Sequence, residues 1–317
     1  MKKYPLKLSY ISKSAIWGGT RLMEQWNKLP NGDCIAETWE LSVRPKEMAT
    51  VLNGDAKGMT LQTYIELCGA DCVSPSYRTD DRFPLLIKLI DAADRLSVQV
   101  HPDDAYASRV EHDSGKTEMW YIVEADPDAS IIYGLADGIS REEFAKAVAD
   151  GRIGETMKVC PVSRGDSFFI PAGMVHAIGK GILIAEVQQN SDLTYRIYDY
   201  DRRQADGSLR ELHVEKSLDV VRPFTDAEID SLRFERGHTD ALVNSKYFSV
   251  WERNIHGIHS ASADEQSFVA LLCLDGDGVL SYNGADYPIQ KGDSCFLPAG
   301  MGAYTLSGNL RLIEATL

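Results

Sequence analysis

Within Ser97-Val98-Gln99-Val100-His101-Pro102, polar and apolar residues alternate strictly. Side chains two apart in a strand share a face, so Ser97, Gln99 and His101 point one way and Val98 and Val100 the other. Pro102 has no N–H to give to a ladder and ends the strand. A polar row turned into a barrel is costly unless its members are paired or coordinated. Glu118 follows in Lys116-Thr117-Glu118-Met119-Trp120-Tyr121, where Lys116, Glu118 and Trp120 share a face, and His176 comes after a Pro-Ala-Gly bend. Two imidazoles, one carboxylate and one amide oxygen form a donor set for a divalent metal. Zinc accepts such donors and keeps a position open in catalytic sites. Oxygen-rich sets also admit manganese or iron, so donor types alone do not fix the metal. The same spacing also suits an ordinary polar core cluster of hydrogen-bonded His, Gln and Glu. The remaining histidines, His112, His213, His238, His256 and His259, have loop-like surroundings and are expected to be surface or core residues.

The elements that must position these residues are mostly short strands. Residues 34–43, 85–90, 97–101, 118–123, 167–170, 182–188, 267–274 and 294–297 have strand composition, with turn residues between them, which suggests a sandwich or barrel. Helical pattern is rarer. One helix is expected at 60–68, closed by Gly69. A second is expected at 140–150, where Ser140 and Glu143 form a capping box, Phe144 and Val148 an apolar stripe, and Gly151 the stop. Thr225 and Glu228 open a third by the same device. An internal repeat ties the chain together: 164–174 reads RGDSFFIPAGM and 291–301 reads KGDSCFLPAGM, identical at eight of eleven positions at an offset of 127. Each copy is a Gly-Asp turn, an apolar strand and a Pro-Ala-Gly bend, the shape of a jelly-roll corner. The copies diverge where chemistry would begin, since the position matching His176 holds Ala303. One barrel is expected to carry the site and the other to be structural or to shape a cleft.

Composition narrows the classes. The 317 residues are 44% apolar, enough for a sizeable core, and the net charge is −14. Such an acidic balance argues against nucleic acid or an anionic membrane as partner. A local group of Lys and Arg can still take an anionic small molecule. The N-terminus lacks an apolar run of signal-peptide length, and nothing approaches a membrane span. Six scattered cysteines do not make a disulfide framework, and Cys68 and Cys72 are expected as buried thiols four apart on a helix. The expected compartment is the reducing cytoplasm.

The segments FPLLIKLIDAADRLSVQVHPDD, GKTEMWYIV, GDSFFIPAGMVHAIGKGILIAEVQQNSDLTYRIYDYDR and AETWELS closely resemble the type I mannose-6-phosphate isomerases, in their shorter bacterial form, over essentially the whole chain. The resemblance implies a mainly β fold of two cupin (jelly-roll) barrels with a small helical insertion near 139–160. It implies a catalytic domain over 1–223 and a degenerate cupin domain over 236–317. It also implies one Zn2+ per chain held by Gln99, His101, Glu118 and His176, and a sugar phosphate substrate, mannose 6-phosphate or fructose 6-phosphate. Arg196 matches the family's active-site arginine and Lys116 the lysine before the ligand glutamate. Lys88 and Ser97 fall on positions near the substrate phosphate in longer members. Two departures stand out: Ile178 replaces an aromatic residue of the longer members, and the stretch 180–196 aligns only with a small gap.

Aldose–ketose isomerisation moves a proton between C1 and C2, usually through an enediol, and needs a base and an electrophile. Glu186 is one candidate base, since alternation sets it beside Ile182 and Ile184 in an apolar row; it could instead simply pair with Arg196 or Lys116. Lys116, close to the metal's positive field, is the other candidate. Arg196 offers a permanent charge and a planar fork of donors for the enediolate or the phosphate. Two competing readings are a two-His, one-carboxylate iron oxygenase on the same barrel, and a non-catalytic sugar-phosphate binder. Gln99 as fourth donor and the nearby basic residues weigh against the oxygenase. A related cupin activity on another sugar phosphate also stays open.

Overall fold

In the computed structural model, which describes residues 1–204, 206–234 and 241–317, the alternating segments become two antiparallel barrels. The first has a seven-stranded sheet in the spatial order Arg233–Phe234, Ser167–Ile170, Glu118–Ala125, Ile182–Gln189, Leu85–Ala92, Glu37–Leu41 and Ile11–Lys13. Facing it is a five-stranded sheet of Met157–Pro161, Ser130–Leu135, His176–Ile178, Val98–Val100 and Tyr195–Tyr198. The second barrel is a further seven-stranded sheet dominated by Ser249–Ala263, Val269–Tyr282 and Gly302–Thr316.

Strand alternation distributes side chains between cores. Along Ile182–Gln189, Ile182 and Ile184 join Trp120, Ile122 and Tyr133 inside the first barrel. Leu183, Ala185 and Val187 face the other way and pack with Phe268, Ala270, Leu272 and Phe296, which joins the two barrels. Burial on both faces explains the near-continuous apolar run of this strand. Val98 and Val100 likewise face outward, into a cluster with Phe144, Val175 and Ala177. The helix Arg141–Ala149 covers that face through Phe144 and Ala147, while Val148 is only half-buried. Its capping box is closed in both directions, as is that of Asp226–Ser231. Leu61–Cys68 begins at Thr60, whose hydroxyl accepts the Thr63 N–H at 3.1 Å, and ends at Gly69.

Several expectations need correction. The segment 34–43 is broken: Glu37–Leu41 shifts register after Trp39, and Val43–Arg44 belongs to a small separate hairpin with Glu47–Met48. The strand expected at 267–274 runs from Val269 to Tyr282. Asp275-Gly276-Asp277-Gly278 looks like punctuation, but a Cβ at Gly276 would lie 1.8 Å from the Asn309 carbonyl oxygen, so glycine lets two strands touch there. Cys72 lies in the turn Ala70–Cys72 rather than on the helix, and Cys68 is half-buried. All six cysteines are free thiols. Among the described residues no helix is long and apolar enough to cross a membrane.

The two repeat copies fold alike, bond for bond. Ser167–Ile170 and Ser294–Leu297 are matching strands. The Asp166 carboxylate accepts the Ser163 N–H at 2.8 Å and Asp293 accepts that of Gln290 at 2.9 Å. Gly165 donates to Ile122 and Gly292 to Cys273; Met174 donates to Pro171 and Met301 to Pro298. The barrels also exchange strands. Leu6–Leu8 pairs with Ser294–Phe296 in the second sheet, and Arg233–Phe234 pairs with Ser167–Phe168 in the first.

Candidate metal centre and active-site cleft

His176 lies directly opposite Gln99 in the five-stranded sheet. Glu118 comes from the facing sheet, where its neighbours are Ile170 and Gln188. The His101 carbonyl accepts the Gly173 N–H at 2.9 Å, which fastens the end of its strand to the Pro-Ala-Gly bend. As a result His101, Glu118 and His176 converge, with ligand atoms all within 4.8 Å of one another. The two imidazole Nε2 atoms are 3.1 Å apart. Glu118 Oε1 is 3.4 Å from His176 Nε2, and Oε2 is 3.5 Å from His101 Nε2. The Gln99 carboxamide reaches to 3.3 Å from His176 Nε2.

His101, Glu118 and His176 are fully buried. Burial, followed by the Lys116 charge, takes the His101 pKa well below its usual value. Burial lowers that of His176 to about 3. Both rings are therefore neutral. His176 Nδ1–H donates to the Met174 carbonyl at 2.8 Å, which leaves the Nε2 lone pair facing inward. Lys116 Nζ stands 2.7 Å from Glu118 Oε2 and 3.1 Å from His101 Nε2, yet neither Glu118 oxygen has a well-directed hydrogen bond. A self-sufficient polar core would satisfy its members. Here acceptors face acceptors, an arrangement that fits a divalent cation.

A second row lies beside it. Trp39, Lys88, Glu186, Trp120 and Phe168 occupy one register line across neighbouring strands. Lys88 Nζ is 3.3 Å from Glu186 Oε1 and 3.4 Å from Glu37 Oε2. Burial works to lower the Lys88 pKa, but Glu37 and Glu186 outweigh it and hold the value above the usual one. The indole N–H of Trp120 donates to Glu186 Oε2 at 2.8 Å, and that of Trp39 to Glu37 Oε2 at 2.8 Å. Ile182 and Ile184 share Glu186's face as expected. The partners of Glu186 are nevertheless Lys88 and Trp120, not Arg196 or Lys116.

Arg196 stands opposite Gln99 on the next strand. Its Nε–H donates to Ser97 Oγ at 3.3 Å and Nη1–H to the Glu211 carbonyl at 2.8 Å. Lys88, Ser97, Gln99, Lys116, Glu186 and Arg196 all line one cavity of 110 Å³, which Ile178 also borders. The three-residue cluster lies directly behind Gln99 and Lys116, which touch both. Larger hollows of 500 and 610 Å³ elsewhere are lined by none of these residues.

Two further charged wall residues escaped the sequence reading. Glu37 had a signal, because alternation in Glu37-Thr38-Trp39 places it with Trp39 on the Lys88 side. Arg210 had none: it lies in an aperiodic polar loop and is aimed by Asp199, whose Oδ2 accepts its Nε–H at 2.7 Å. Arg202 pairs with Asp199 and Asp94 and does not line the cavity, and Arg203 is exposed. His112 and His256 are exposed, His213 accepts the Arg196 backbone N–H at 3.3 Å, and His238 lies outside the described residues.

Known proteins agree with this architecture. The family "Phosphomannose isomerase type I, catalytic domain" matches residues 6–133, and "Mannose-6-phosphate isomerase, cupin domain" matches 238–317. Mannose-6-phosphate isomerase ManA of Bacillus subtilis is 40% identical over 100% of both chains. The mannose-6-phosphate isomerase of Streptococcus mutans is 38% identical over 98% of each. The crystal structure of the mannose 6-phosphate isomerase from Bacillus subtilis superposes with a TM-score of 0.89 at 34% identity, covering 100% of both chains. The chain belongs to the type I mannose-6-phosphate isomerases, a family of aldose–ketose isomerases built on cupin barrels.

Proposed function

We propose that this chain interconverts D-mannose 6-phosphate and D-fructose 6-phosphate through an enediol, with one zinc ion held by Gln99, His101, Glu118 and His176. The observation that carries the reading is the convergence of two neutral imidazoles and an unsatisfied carboxylate behind a cavity lined with basic residues. Bound zinc would supply an electrophile for the sugar oxygens. Gln99 and Lys116 would orient the C1–C2 end, since both touch the ligand cluster and the cavity. Glu186 would take and return the proton at C1 and C2. It is held by Lys88 and Trp120, whereas Lys116, the alternative base, lies against Glu118. The cavity is smaller than the roughly 300 Å³ of ordinary ligand pockets, so the substrate would extend outward. Its phosphate would then meet Arg196, with Ser97 and Lys88 further in, and the unassigned Arg210 beside them. Domain limits of 1–223, with its helical insertion near 139–160, and 236–317 fit this division of labour, and a cytoplasmic setting fits the free thiols.

The test is to strip the protein with a chelator and follow conversion of mannose 6-phosphate by NMR before and after adding zinc. Activity that vanishes and returns supports the assignment. No conversion by folded, zinc-loaded protein would sink it, and glucose 6-phosphate in parallel reports epimer preference.

A further inference from the structure

Strand pairing carries each position of the first site onto the second barrel. Glu314 lies between Trp251 and Leu271 as Glu186 lies between Lys88 and Trp120. Ala303 faces Ser262 as His176 faces Gln99. The Gly300 N–H binds the Asp264 carbonyl as that of Gly173 binds His101. Leu297 lies opposite Val269 as Ile170 lies opposite Glu118. The four ligand positions thus hold Ser262, Asp264, Val269 and Ala303, a set without an imidazole that makes no metal centre.

A cleft nevertheless opens at the same place, and it is larger, at 340 Å³. Lys88, Ile90, Gln99 and Glu186 line the first cavity; their counterparts Trp251, Arg253, Ser262 and Glu314 line the second. We infer that this second cleft binds a neutral, unphosphorylated hexose ring. Charge argues for neutrality: one guanidinium, Arg253, faces two carboxylates, Asp264 and Glu314, with the His259 imidazole also in the wall, and the Arg253 Nη2 is already committed to Glu314 Oε1 at 2.6 Å. A phosphate dianion would find no permanent cation without a carboxylate partner, of the kind that Arg196 offers in the first cavity. The remaining chemistry is that of hydroxyl recognition. Asp264, Glu314 and Ser262 accept hydrogen bonds, and Arg253 Nε, shielded from water, has no hydrogen-bond partner. Its side chain gains a bond by turning toward a ligand oxygen. Trp251 gives a flat wall for the C–H face of a pyranose, with the Arg253 guanidinium 5.3 Å from the ring centre. The volume lies within the range for small-molecule sites.

Saturation-transfer NMR on the full chain, with methyl α-D-mannopyranoside as probe, tests the site. Transfer to the sugar C–H protons is expected at millimolar concentration. It should fall about fivefold or more in Trp251→Ala and in the shape-preserving Glu314→Gln, and persist in Glu186→Gln, which alters only the first cavity. Circular dichroism establishes that each variant is folded. No transfer up to about 100 mM probe in the wild type would overturn the inference. So would transfer unchanged in folded Glu314→Gln, transfer lost in Glu186→Gln, or displacement of the probe by millimolar inorganic phosphate.

Discussion

The corners at 164–174 and 291–301 share their turn, strand and bend, yet one leads into His176 of the His101–Glu118–His176 cluster and the other into Ala303. Glu118, buried among acceptors and beside an ammonium, has Val269 as its counterpart, packed among apolar neighbours. The contrast separates scaffold from chemistry. Gly, Asp and Pro at fixed offsets specify the bend through backbone conformation and a few hydrogen bonds. The chemistry proposed for the first barrel would rest on four positions that the fold brings together from both of its sheets, and the second copy keeps the corner with other residues at those positions. The second barrel also packs against the first: Phe268 and Phe296 stack at 5.0 Å in the core the two share.

The comparison can be broken most forcefully at the ligand positions. His101→Ala or Glu118→Ala should lose bound metal and reduce kcat/KM about a thousandfold or more, while Asp264→Ala stays within about twofold. Metal analysis beside a turnover assay decides, and equal losses in the two barrels would end the distinction. Next, Val269→Glu places in the second barrel the carboxylate that the first one holds. Without converging donors it should cost about 3 kcal/mol in a urea titration, and Ala303→His should leave metal content at one ion per chain.

Acid should also distinguish the barrels. In metal-stripped protein the two histidines are neutral when folded but protonate near pH 6.5 when unfolded, so the unfolded chain binds more protons below that value. Their contribution to stability is present above about pH 6.5 and is lost as pH falls toward about 3, the value for His176. The slope should approach about 1.4 kcal/mol per pH unit for each histidine, and His176→Ala should reduce it by about half. A flat profile for the stripped wild type would show that these rings are not held neutral. The smallest effect concerns the shared corner. Asp166→Ala should cost about 1 kcal/mol through its lost turn bond, and Asp293→Ala slightly more because Lys7 also pairs with Asp293. Thermal melts of both variants measure the difference.

Much of this was legible because it is local. Alternation around Gln99 and His101 predicted their common face, and the repeat predicted both corners, since each depends on residues within a few positions. The partner of Glu186 was not legible. Lys88 reaches it through strand pairing across almost a hundred residues of chain, and no periodicity encodes which strands become neighbours. Glu37 joins the same row for the same non-local reason. Arg210 was invisible because a loop side chain aimed by an aspartate has no pattern at all. The strand continuing past Leu274 was hidden by glycines that serve close approach rather than a turn.

Leu6–Leu8 has a consequence in time as well as in space. Its hydrogen-bonding partner, Ser294–Phe296, is synthesised some 290 residues later. At ordinary translation rates that is an interval of roughly 15 to 60 s, during which the apolar segment is made but its sheet does not exist. The second barrel in turn gains this neighbouring strand only by recruiting a segment made long before it. One edge of this segment can close early, on residues 50–53, whereas the edge that meets Ser294–Phe296 has to wait until that strand is made.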